Sequence, residues 1–180
     1  MSRSVFIALG ANVAGSWGVP ERTFERCLRR FESFGLQVSA RSRCYETAPL
    51  GQGITPNYVN GVVALKTNIA PQSLLNLLKR LEKEAGRRDS NHWINRPLDL
   101  DIIDYKGRIL NWDIRRRRVL APASGKLILP HARVHLRPFV LAPLREIAAD
   151  WRHPVLRLSL EALVERTAHK SEGRIIRIFD

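Results

Sequence analysis

Arg96-Pro97-Leu98-Asp99-Leu100-Asp101-Ile102-Ile103 alternates large apolar residues with two carboxylates. This period of two predicts a β-strand whose apolar residues enter a core while Asp99 and Asp101 leave the opposite face. At a rise of about 3.3 Å per residue, the Cα atoms of the two aspartates lie about 6 to 7 Å apart, so their carboxylates could converge on shared cations. The spacing alone leaves two interpretations open: an edge strand with a solvated acidic face, or a Mg²⁺ site of the kind used in phosphoryl chemistry.

Length and composition predict one compact domain over residues 1–180, because a chain of this length with 44% hydrophobic residues can build a core. No apolar run is long enough to cross a membrane and the chain runs directly into strand-like sequence, so we expect no membrane span, no signal peptide and a cytoplasmic protein. Thirty Lys and Arg against seventeen Asp and Glu give a formal charge of +13, which favours a polyanionic ligand such as nucleic acid or a nucleotide polyphosphate. Cys27 and Cys44 are too few for a disulfide framework and lack the spacing of a zinc site, so we interpret both as packing residues.

The hydrophobic pattern up to the acidic strand predicts alternating strands and helices. Pro20 and Pro71 stand at first-turn positions, and Gly35 and Gly86 are placed to end the same two helices. The predicted elements are a strand at Ser4–Leu9, a helix from Pro20 to Gly35, strands at Leu36–Tyr45 and Tyr58–Thr67, a helix from Pro71 to Gly86 and the strand at 96–103. This order predicts an α+β fold with a ferredoxin-like βαββαβ core and an antiparallel sheet, which by itself says nothing about function. The Gly- and Pro-rich loop Glu46–Asn57 has a length typical of functional loops.

The last third of the chain is less regular. We interpret Trp112–Leu129 as a basic insertion, and its run Arg115–Arg118 as a solvated surface segment. The other predicted elements are a short return strand at Ile109–Leu110, helices at Pro138–Ala148 and Ser159–Val164, and a strand at Arg174–Phe179. The core is therefore expected to carry additional C-terminal helices.

Groups of polar and aromatic residues accompany these elements. They are a glycine turn after the first strand, Tyr58 and Asn60 after the long loop, a basic loop before the acidic strand, and Pro130-His131 followed by Arg137 and Phe139. In this order they resemble the 6-hydroxymethyl-7,8-dihydropterin pyrophosphokinase family, from Phe6 to about Trp151. The most specific match is Arg96-Pro97-Leu98-Asp99-Leu100-Asp101-Ile102, where the family has Arg-x-x-Asp-x-Asp-Ile. The resemblance implies transfer of diphosphate from ATP to the hydroxymethyl group of the pterin, with release of AMP, in folate biosynthesis.

The resemblance also implies a role for each matched residue. Asp99 and Asp101 would hold two Mg²⁺ ions that bridge the ATP phosphates. The residues implied in catalysis are Arg87, Arg96, Asp99 and Asp101, and those implied in ATP binding are Glu82, Arg87, Trp93, Arg96, Ile102, His131 and Arg137. Arginine suits phosphate because its planar fork grips the oxygens in pairs, and the chain has no Gly-x-x-x-x-Gly-Lys loop that would do so instead. No side chain stands out as a general base.

The implied pterin pocket combines aromatic faces with hydrogen-bonding groups. Tyr58 and Phe139 would stack on the ring, and the Asn60 amide would bind its polar edge. The backbone around Thr47, Ala48 and Leu50 would supply the remaining hydrogen bonds.

Several of these residues have a plainer interpretation when each is taken singly. A structural or solvated role is open for Tyr58, Asn60, Glu82, Trp93, His131 and Phe139. Asp104 is excluded from the site, because strict alternation along a strand places it on the opposite face from Asp99 and Asp101.

The chain departs from the family pattern mainly in loops. The segment between Arg87 and Arg96 is slightly short and matches a second family arginine only loosely, at Arg88. Ala132 stands where an aromatic residue often follows the Pro-His pair, and the insertion is longer than the pattern, with Lys126 in place of a family arginine.

Two other functions are therefore weighed against the enzyme. A nucleic-acid-binding domain would explain the basic charge, but the sequence lacks the aromatic strand signature of an RNA-recognition motif. A pterin- or nucleotide-binding paralogue without activity would explain the altered loop. We expect a monomeric enzyme whose partners are ATP and 6-hydroxymethyl-7,8-dihydropterin, with no membrane or nucleic-acid partner.

Overall fold

The computed structural model describes residues 4–49, 56–88, 95–120, 126–169 and 173–180. Its elements are β1 (Val5–Ala11), α1 (Pro20–Ser33), β2 (Gln37–Arg41), β3 (Cys44–Thr47), β4 (Tyr58–Lys66), α2 (Pro71–Glu84), β5 (Asp99–Tyr105), β6 (Trp112–Asp113), β7 (Arg118–Val119), a 3₁₀ turn (Val134–Leu136), α3 (Pro138–Ile147), α4 (Leu160–Thr167) and β8 (Ile175–Phe179). Both predicted N-terminal helices begin at their proline. Gly35 and Gly86 follow them at φ +70° and +102°, a conformation that glycine adopts without steric cost.

The main sheet has the order β5-β1-β4-β3-β8, and β2 also pairs with β4. Every pairing in it is antiparallel. Since β2 and β3 lie along the same side of β4, the two together act as one strand of the βαββαβ core. The chain thus has the α+β, ferredoxin-like fold predicted for it, and β8 adds a strand at the edge.

The single strand predicted at Leu36–Tyr45 is wrong in detail, because it is interrupted after β2 and its second part continues to Thr47. Ser42 explains the interruption. Its hydroxyl accepts a hydrogen bond from the Val62 N–H at 3.0 Å, so a side chain replaces a backbone carbonyl in the ladder. Glu46 and Thr47 therefore belong to β3, and the described part of the long loop begins after them.

Apolar side chains pack on both faces of the sheet. Leu98, Leu100 and Ile102 are 0 to 3% exposed and lie in the cluster beneath α1 and α2, as the alternation of the acidic strand predicted. Cys27 belongs to the same cluster and Cys44 packs at its border; burial raises the pKa of both thiols, which agrees with a packing role. The second cluster lies on the opposite face, against α3 and α4.

A β-bulge in β5 changes the position of Asp104. Ala8 of β1 lies opposite Asp101, whereas Phe6 lies opposite Asp104, so β5 has one extra residue between the two pairs. Asp104 therefore shares a face with Asp101, and the prediction that it lies on the opposite face is wrong. It is still separate from the acidic pair in its contacts, because its carboxylate accepts hydrogen bonds from the Trp151 indole and from a backbone N–H of the following turn, both at 2.7 Å.

The predicted insertion contains a short hairpin. Trp112–Asp113 pairs with Arg118–Val119, and the arginines at 115–117 occupy its turn with exposed side chains. The return strand predicted at Ile109–Leu110 is reduced to one bridge, between Leu110 and Leu129.

The C-terminal predictions agree with the structure to within a few residues. α3 occupies the predicted helix, and β8 occupies the predicted last strand. The Ser159 hydroxyl caps α4 by accepting a hydrogen bond from the Ala162 N–H, and the helix continues past Val164 to Thr167. In the described segments, no helix combines the length and the apolar character needed to span a membrane.

A carboxylate latch joins α3 to the sheet. Glu146 of α3 accepts hydrogen bonds from the Tyr45 hydroxyl at 2.7 Å and from the Arg43 backbone N–H at 2.8 Å, and it forms an ion pair with the Arg43 guanidinium at 2.7 Å. Although burial opposes its ionisation, these donors hold the pKa of Glu146 below its ordinary value. Burial and the same hydrogen bond raise the pKa of Tyr45 to about 12.

We expect Glu146→Gln to lower the free energy of unfolding by about 1 to 2 kcal/mol at pH 7, because it removes charge-assisted hydrogen bonds. A carboxyl whose pKa is lower in the folded state stabilises the fold above its unfolded pKa, and this contribution disappears as pH falls through the folded value. The difference between wild type and variant should therefore be smaller at pH 3 than at pH 7 in urea denaturation. Glu161→Gln is the control, because it removes one partner of an exposed ion pair in which Glu161 lies 3.4 Å from Arg145. Equal losses of unfolding free energy in Glu146→Gln at the two pH values would contradict the latch.

Candidate active site

The two aspartates of β5 share a sheet face with polar residues of β4. Gly10 of β1 lies between them in register, opposite Asp99 on one side and Asn60 on the other. A Cβ atom at Gly10 would lie only 3.3 Å from the Asn60 Oδ1 atom. In the next row, Ala8 lies opposite Asp101. Small residues of β1 thus form a floor between the acidic strand and the amide.

Asp99 lies between two arginines from opposite ends of the basic loop. Its Oδ1 atom is 2.5 Å from Arg87 Nη1 and 2.8 Å from Arg96 Nη1. The Asp99 side chain is 26% exposed, so the cluster opens to solvent. Residues 89–94, including Trp93 of the predicted ATP site, lie outside the described residues.

Asn12 fixes the position of Arg96 and was not among the predicted site residues. The Arg96 N–H donates to Asn12 Oδ1 at 2.7 Å, and the Asn12 N–H donates to the Arg96 carbonyl at 3.0 Å. Asn12 is 5% exposed. Its only signal in the sequence was an amide directly after a buried strand, which does not reveal a partner more than eighty residues away.

Asp101 is paired with the segment that precedes α3. Its Oδ2 atom is 2.8 Å from Arg137 Nη1 and 3.6 Å from His131 Nε2. Burial opposes ionisation of Asp101, but the Arg137 guanidinium, which is charged and donates a hydrogen bond to it, offsets this effect and holds the pKa of Asp101 below the ordinary value. Burial lowers the pKa of His131 to about 4, and its Nδ1 atom accepts a hydrogen bond from the Arg133 N–H. The imidazole is therefore neutral at pH 7, and its Nε2–H faces Asp101.

Glu82 is buried, which contradicts the alternative of a solvated helix position. Its side chain is 2% exposed, and burial raises its pKa. One carboxylate oxygen accepts a hydrogen bond from the Leu100 N–H at 2.8 Å, and the other lies 2.9 Å from Arg87 Nη1. Lys79 completes the cluster, with its Nζ atom 2.8 Å from Glu82. Glu82 thus holds Arg87 beside Asp99.

Asn60 and Thr47 form the buried polar part of the predicted pterin pocket. The Asn60 side-chain amide donates to the Thr47 hydroxyl at 2.8 Å, and both residues are less than 10% exposed. The Ala48 N–H donates to the Arg174 carbonyl at 2.9 Å, and Leu50 lies outside the described residues. The structure therefore leaves Asn60 Oδ1, near Gly10, as the atom of this group directed towards the acidic strand.

The two predicted stacking residues are both partly exposed. Tyr58 is half-buried, and burial raises the pKa of its phenol. Phe139, in the first turn of α3, packs against Gly173, where a Cβ atom would come within 2.5 Å of its ring. Phe139 also packs at the border of the cluster beneath α3 and α4, so partial burial is compatible with a core contact as well as with stacking, and the stacking role of the two rings stays a prediction.

Ile102 has a different position from the other predicted ATP contacts. Its side chain is 3% exposed and packs in the core cluster beneath α1 and α2. The prediction must therefore be restricted to its backbone, because the side chain lies on the face opposite Asp101.

Asp99 and Asp101 have the chemistry of a Mg²⁺ site that is completed by substrate. Mg²⁺ prefers one or two protein carboxylates, with waters and substrate phosphates as its other ligands. Across the described ranges, no group of three or more His, Cys, Asp or Glu side chains is arranged to hold a metal. Two carboxylates that each contact at least one arginine fit this pattern.

The family model described as 7,8-dihydro-6-hydroxymethylpterin-pyrophosphokinase (HPPK) matches residues 6–149. A 2-amino-4-hydroxy-6-hydroxymethyldihydropteridine pyrophosphokinase of Pseudomonas aeruginosa is 37% identical over 155 residues, which cover 86% of this chain and 86% of that protein. The corresponding Haemophilus influenzae protein is 32% identical, with 93% of this chain and 95% of that protein covered.

Longer relatives contain the same region. A "Folate synthesis bifunctional protein" of Arabidopsis thaliana is 39% identical over 79% of this chain, which spans only 26% of its length. The crystal structure of Plasmodium falciparum HPPK-DHPS with SDX-DHP aligns over 92% of this chain and 43% of its own, with a TM-score of 0.66 and 15% identity, which supports the fold. The family match, together with the similarity over most of the two bacterial proteins, shows that the chain belongs to the 7,8-dihydro-6-hydroxymethylpterin-pyrophosphokinase family.

Proposed function

We propose that this chain transfers diphosphate from ATP to the hydroxymethyl group of 6-hydroxymethyl-7,8-dihydropterin, with AMP as the second product, in folate biosynthesis. The observation that carries the proposal is the position of Asp99 and Asp101. Both carboxylates contact arginines, and both lie on the sheet face that also holds Asn60 of the pterin pocket. We further propose that residues 1–180 act as one pyrophosphokinase domain with a basic insertion at about 112–129.

Phosphate binding is assigned to the arginines of the cluster. Arg87, Arg96 and Arg137 each present guanidinium N–H groups beside a carboxylate that would face the polyphosphate. His131 adds a neutral N–H donor at the same place. Glu82 and the backbone of Ile102 support this wall of the site, and Trp93 is proposed to take part in ATP binding.

Asp99 and Asp101 are assigned to two Mg²⁺ ions, which would neutralise phosphate charge and make the AMP group easier to expel. The residues fit this role, since each carboxylate is about one quarter exposed and holds charged partners in the open part of the site. The arginines that contact them would bind the phosphate oxygens that complete the metal coordination.

Pterin recognition is assigned to the side of Gly10 that faces β4, away from the acidic strand. Tyr58 and Phe139 would stack on the pterin ring with their exposed faces. Asn60 Oδ1 would accept a hydrogen bond from the amino-amide edge, because the other side of this amide is held by Thr47. The backbone near Ala48 and Leu50 is proposed to bind the rest of that edge.

The reaction consists of one displacement. The hydroxymethyl oxygen of the pterin releases its proton to solvent and forms a bond to the β-phosphorus of ATP, and the bond from that phosphorus to the oxygen bridging the α-phosphate breaks. The electron pair leaves with AMP. The chain's own contribution is to hold the two substrates in line and to place cationic donors around the phosphates.

We expect AMP to form when the protein is incubated with ATP, Mg²⁺ and 6-hydroxymethyl-7,8-dihydropterin, and only when pterin and metal are both present. Asp99→Ala and Asp101→Ala should each abolish turnover and leave a folded protein, because the missing carboxylates are not core contacts. Asp150→Ala, which changes an exposed carboxylate after α3, is the matched control.

Retained turnover in both aspartate variants would refute the metal assignment. Absence of AMP from the wild type, with ATP and pterin still bound, would instead identify an inactive paralogue. Tight, salt-sensitive RNA binding with neither small ligand bound would identify a nucleic-acid-binding domain.

Glu82→Gln should weaken the binding of a non-hydrolysable ATP analogue by about 10-fold, a typical effect of losing a residue that orients a ligand-binding group. The amide can still accept the Leu100 N–H, but it no longer carries the charge that holds Arg87. Glu84→Gln, two residues along the same helix in an ion pair with Arg30 and Arg80, is the control. Calorimetric titration measures the affinity, and an unchanged value in Glu82→Gln would show that Arg87 needs no such support.

A further inference from the structure

A cluster of four rings, three of them buried and one partly buried, lies outside the site described above. His153 is at its centre, with ring centroids 5.5 Å from Trp112, 5.7 Å from His135 and 5.8 Å from Trp151. All three contacts are edge-to-face, an arrangement that aromatic rings prefer. We call these four residues the ring cluster.

The hydrogen bonds of His153 indicate a packing role for this imidazole. It is 0% exposed, and its Nδ1 atom accepts from the backbone N–H groups of Val155 and Leu156 at 3.2 and 3.1 Å. The proton of the neutral ring is therefore on Nε2, which has no hydrogen-bond partner among the described residues. Because one nitrogen is an acceptor and the other is protonated, neither has a lone pair available to a metal, and the ring serves to hold its neighbours.

The two tryptophans of the ring cluster reach both segments that form the active site. Trp112 Nε1 donates to the Pro130 carbonyl at 2.8 Å, and Trp151 Nε1 donates to Asp104 Oδ2 at 2.7 Å. Both bonds are buried. The bond from Trp112 fixes the loop that carries His131. The bond from Trp151 fixes the end of the strand that carries Asp101.

The same loop is attached to that strand at a third point. The His131 N–H donates to the Ile103 carbonyl at 2.9 Å. His135 of the ring cluster lies two residues before Arg137, whose guanidinium is 2.8 Å from Asp101. The ring cluster is therefore joined to the backbone next to both groups that face Asp101. Trp112 contacts the residue before His131, and His135 lies in the turn that precedes Arg137.

We propose that Trp112 and Trp151 are positioning residues for the transfer reaction. Through the Pro130 carbonyl and the Asp104 carboxylate, they set the distance of His131 and Arg137 from Asp101 and thus the grip on the ATP phosphates. This inference rests on the proposed function. Since Trp112 is the first residue of β6, it also gives the basic insertion a part in assembling the site.

Trp112→Phe tests this role, because phenylalanine keeps an aromatic ring but has no N–H for the Pro130 carbonyl. We expect the turnover rate and the affinity for α,β-methylene-ATP to fall about 10- to 100-fold, the range seen when an orienting residue is lost. The affinity for the pterin should not change. Trp17→Phe is the matched control, since Trp17 is 8% exposed against 7% for Trp112 and packs in the core cluster beneath α1 and α2, away from the ring cluster. It should leave both affinities unchanged.

A double-mutant cycle separates positioning from general stability. If Trp112 acts through His131, then Trp112→Phe will change the nucleotide affinity little in a His131→Ala background. Trp151→Phe, which removes the donor to Asp104, should show the same selective loss and provides a second variant. Additive losses in the cycle, or a lower Tm with nucleotide affinity intact, would overturn the inference. If the wild type forms no AMP, the proposed function fails, but the nucleotide-binding cycle still tests the positioning role.

Discussion

The outer edge of β5 is the constraint on which the rest of the site depends. An edge strand leaves backbone N–H and C=O groups that must find partners when they are buried. Here the Leu100 N–H is bound by the Glu82 carboxylate, and the Ile103 carbonyl is bound by the His131 N–H. Each covering group also serves the site, because Glu82 holds Arg87 and the His131 side chain faces Asp101. The contacts of Glu82 and His131 thus both cover the edge of the sheet and help to assemble the candidate active site.

The electrostatics of the site are those of charges held for a ligand. Asp99 contacts two arginines, whereas Asp101 contacts one arginine and a neutral imidazole. Replacing a buried ion pair by apolar residues is often neutral for stability, since desolvation offsets much of the attraction between the two charges. The concentration of such ion pairs on one sheet face is better explained by binding of a polyanion with cations. The formal charge of +13 fits the same interpretation.

The two faces of the sheet have separate tasks. Beneath α1 and α2, β5 contributes apolar side chains to a closed core. On the other face, the small residues Gly10 and Ala8 leave room for polar side chains at one end, while α3 and α4 cover the remainder. The Glu146 latch and the ring cluster tie these helices and loops to the strands. The segment of Arg137 and Phe139 is consequently held by contacts at both of its ends.

Local patterns in the sequence were sufficient for the helices, the strand order along the chain and the burial of alternate residues in β5. Proline, glycine and hydrophobic period act over a few residues, so their effect can be predicted without knowledge of distant partners. Asp99 and the arginines of the preceding loop, Arg87 and Arg96, are also neighbours in the structure, because short spacing along a strand and its preceding loop limits where they can lie.

The sequence by itself thus determined the α+β core and the identity of the acidic strand. Only the tertiary structure decided the bulge that returns Asp104 to the acidic face, the break between β2 and β3, the support of Arg96 by Asn12, and the link from Trp112 to Pro130. The physical reason is that each depends on a hydrogen bond or a register between residues that are distant in the chain. Such partners are selected by how the layers pack, and no local period records them.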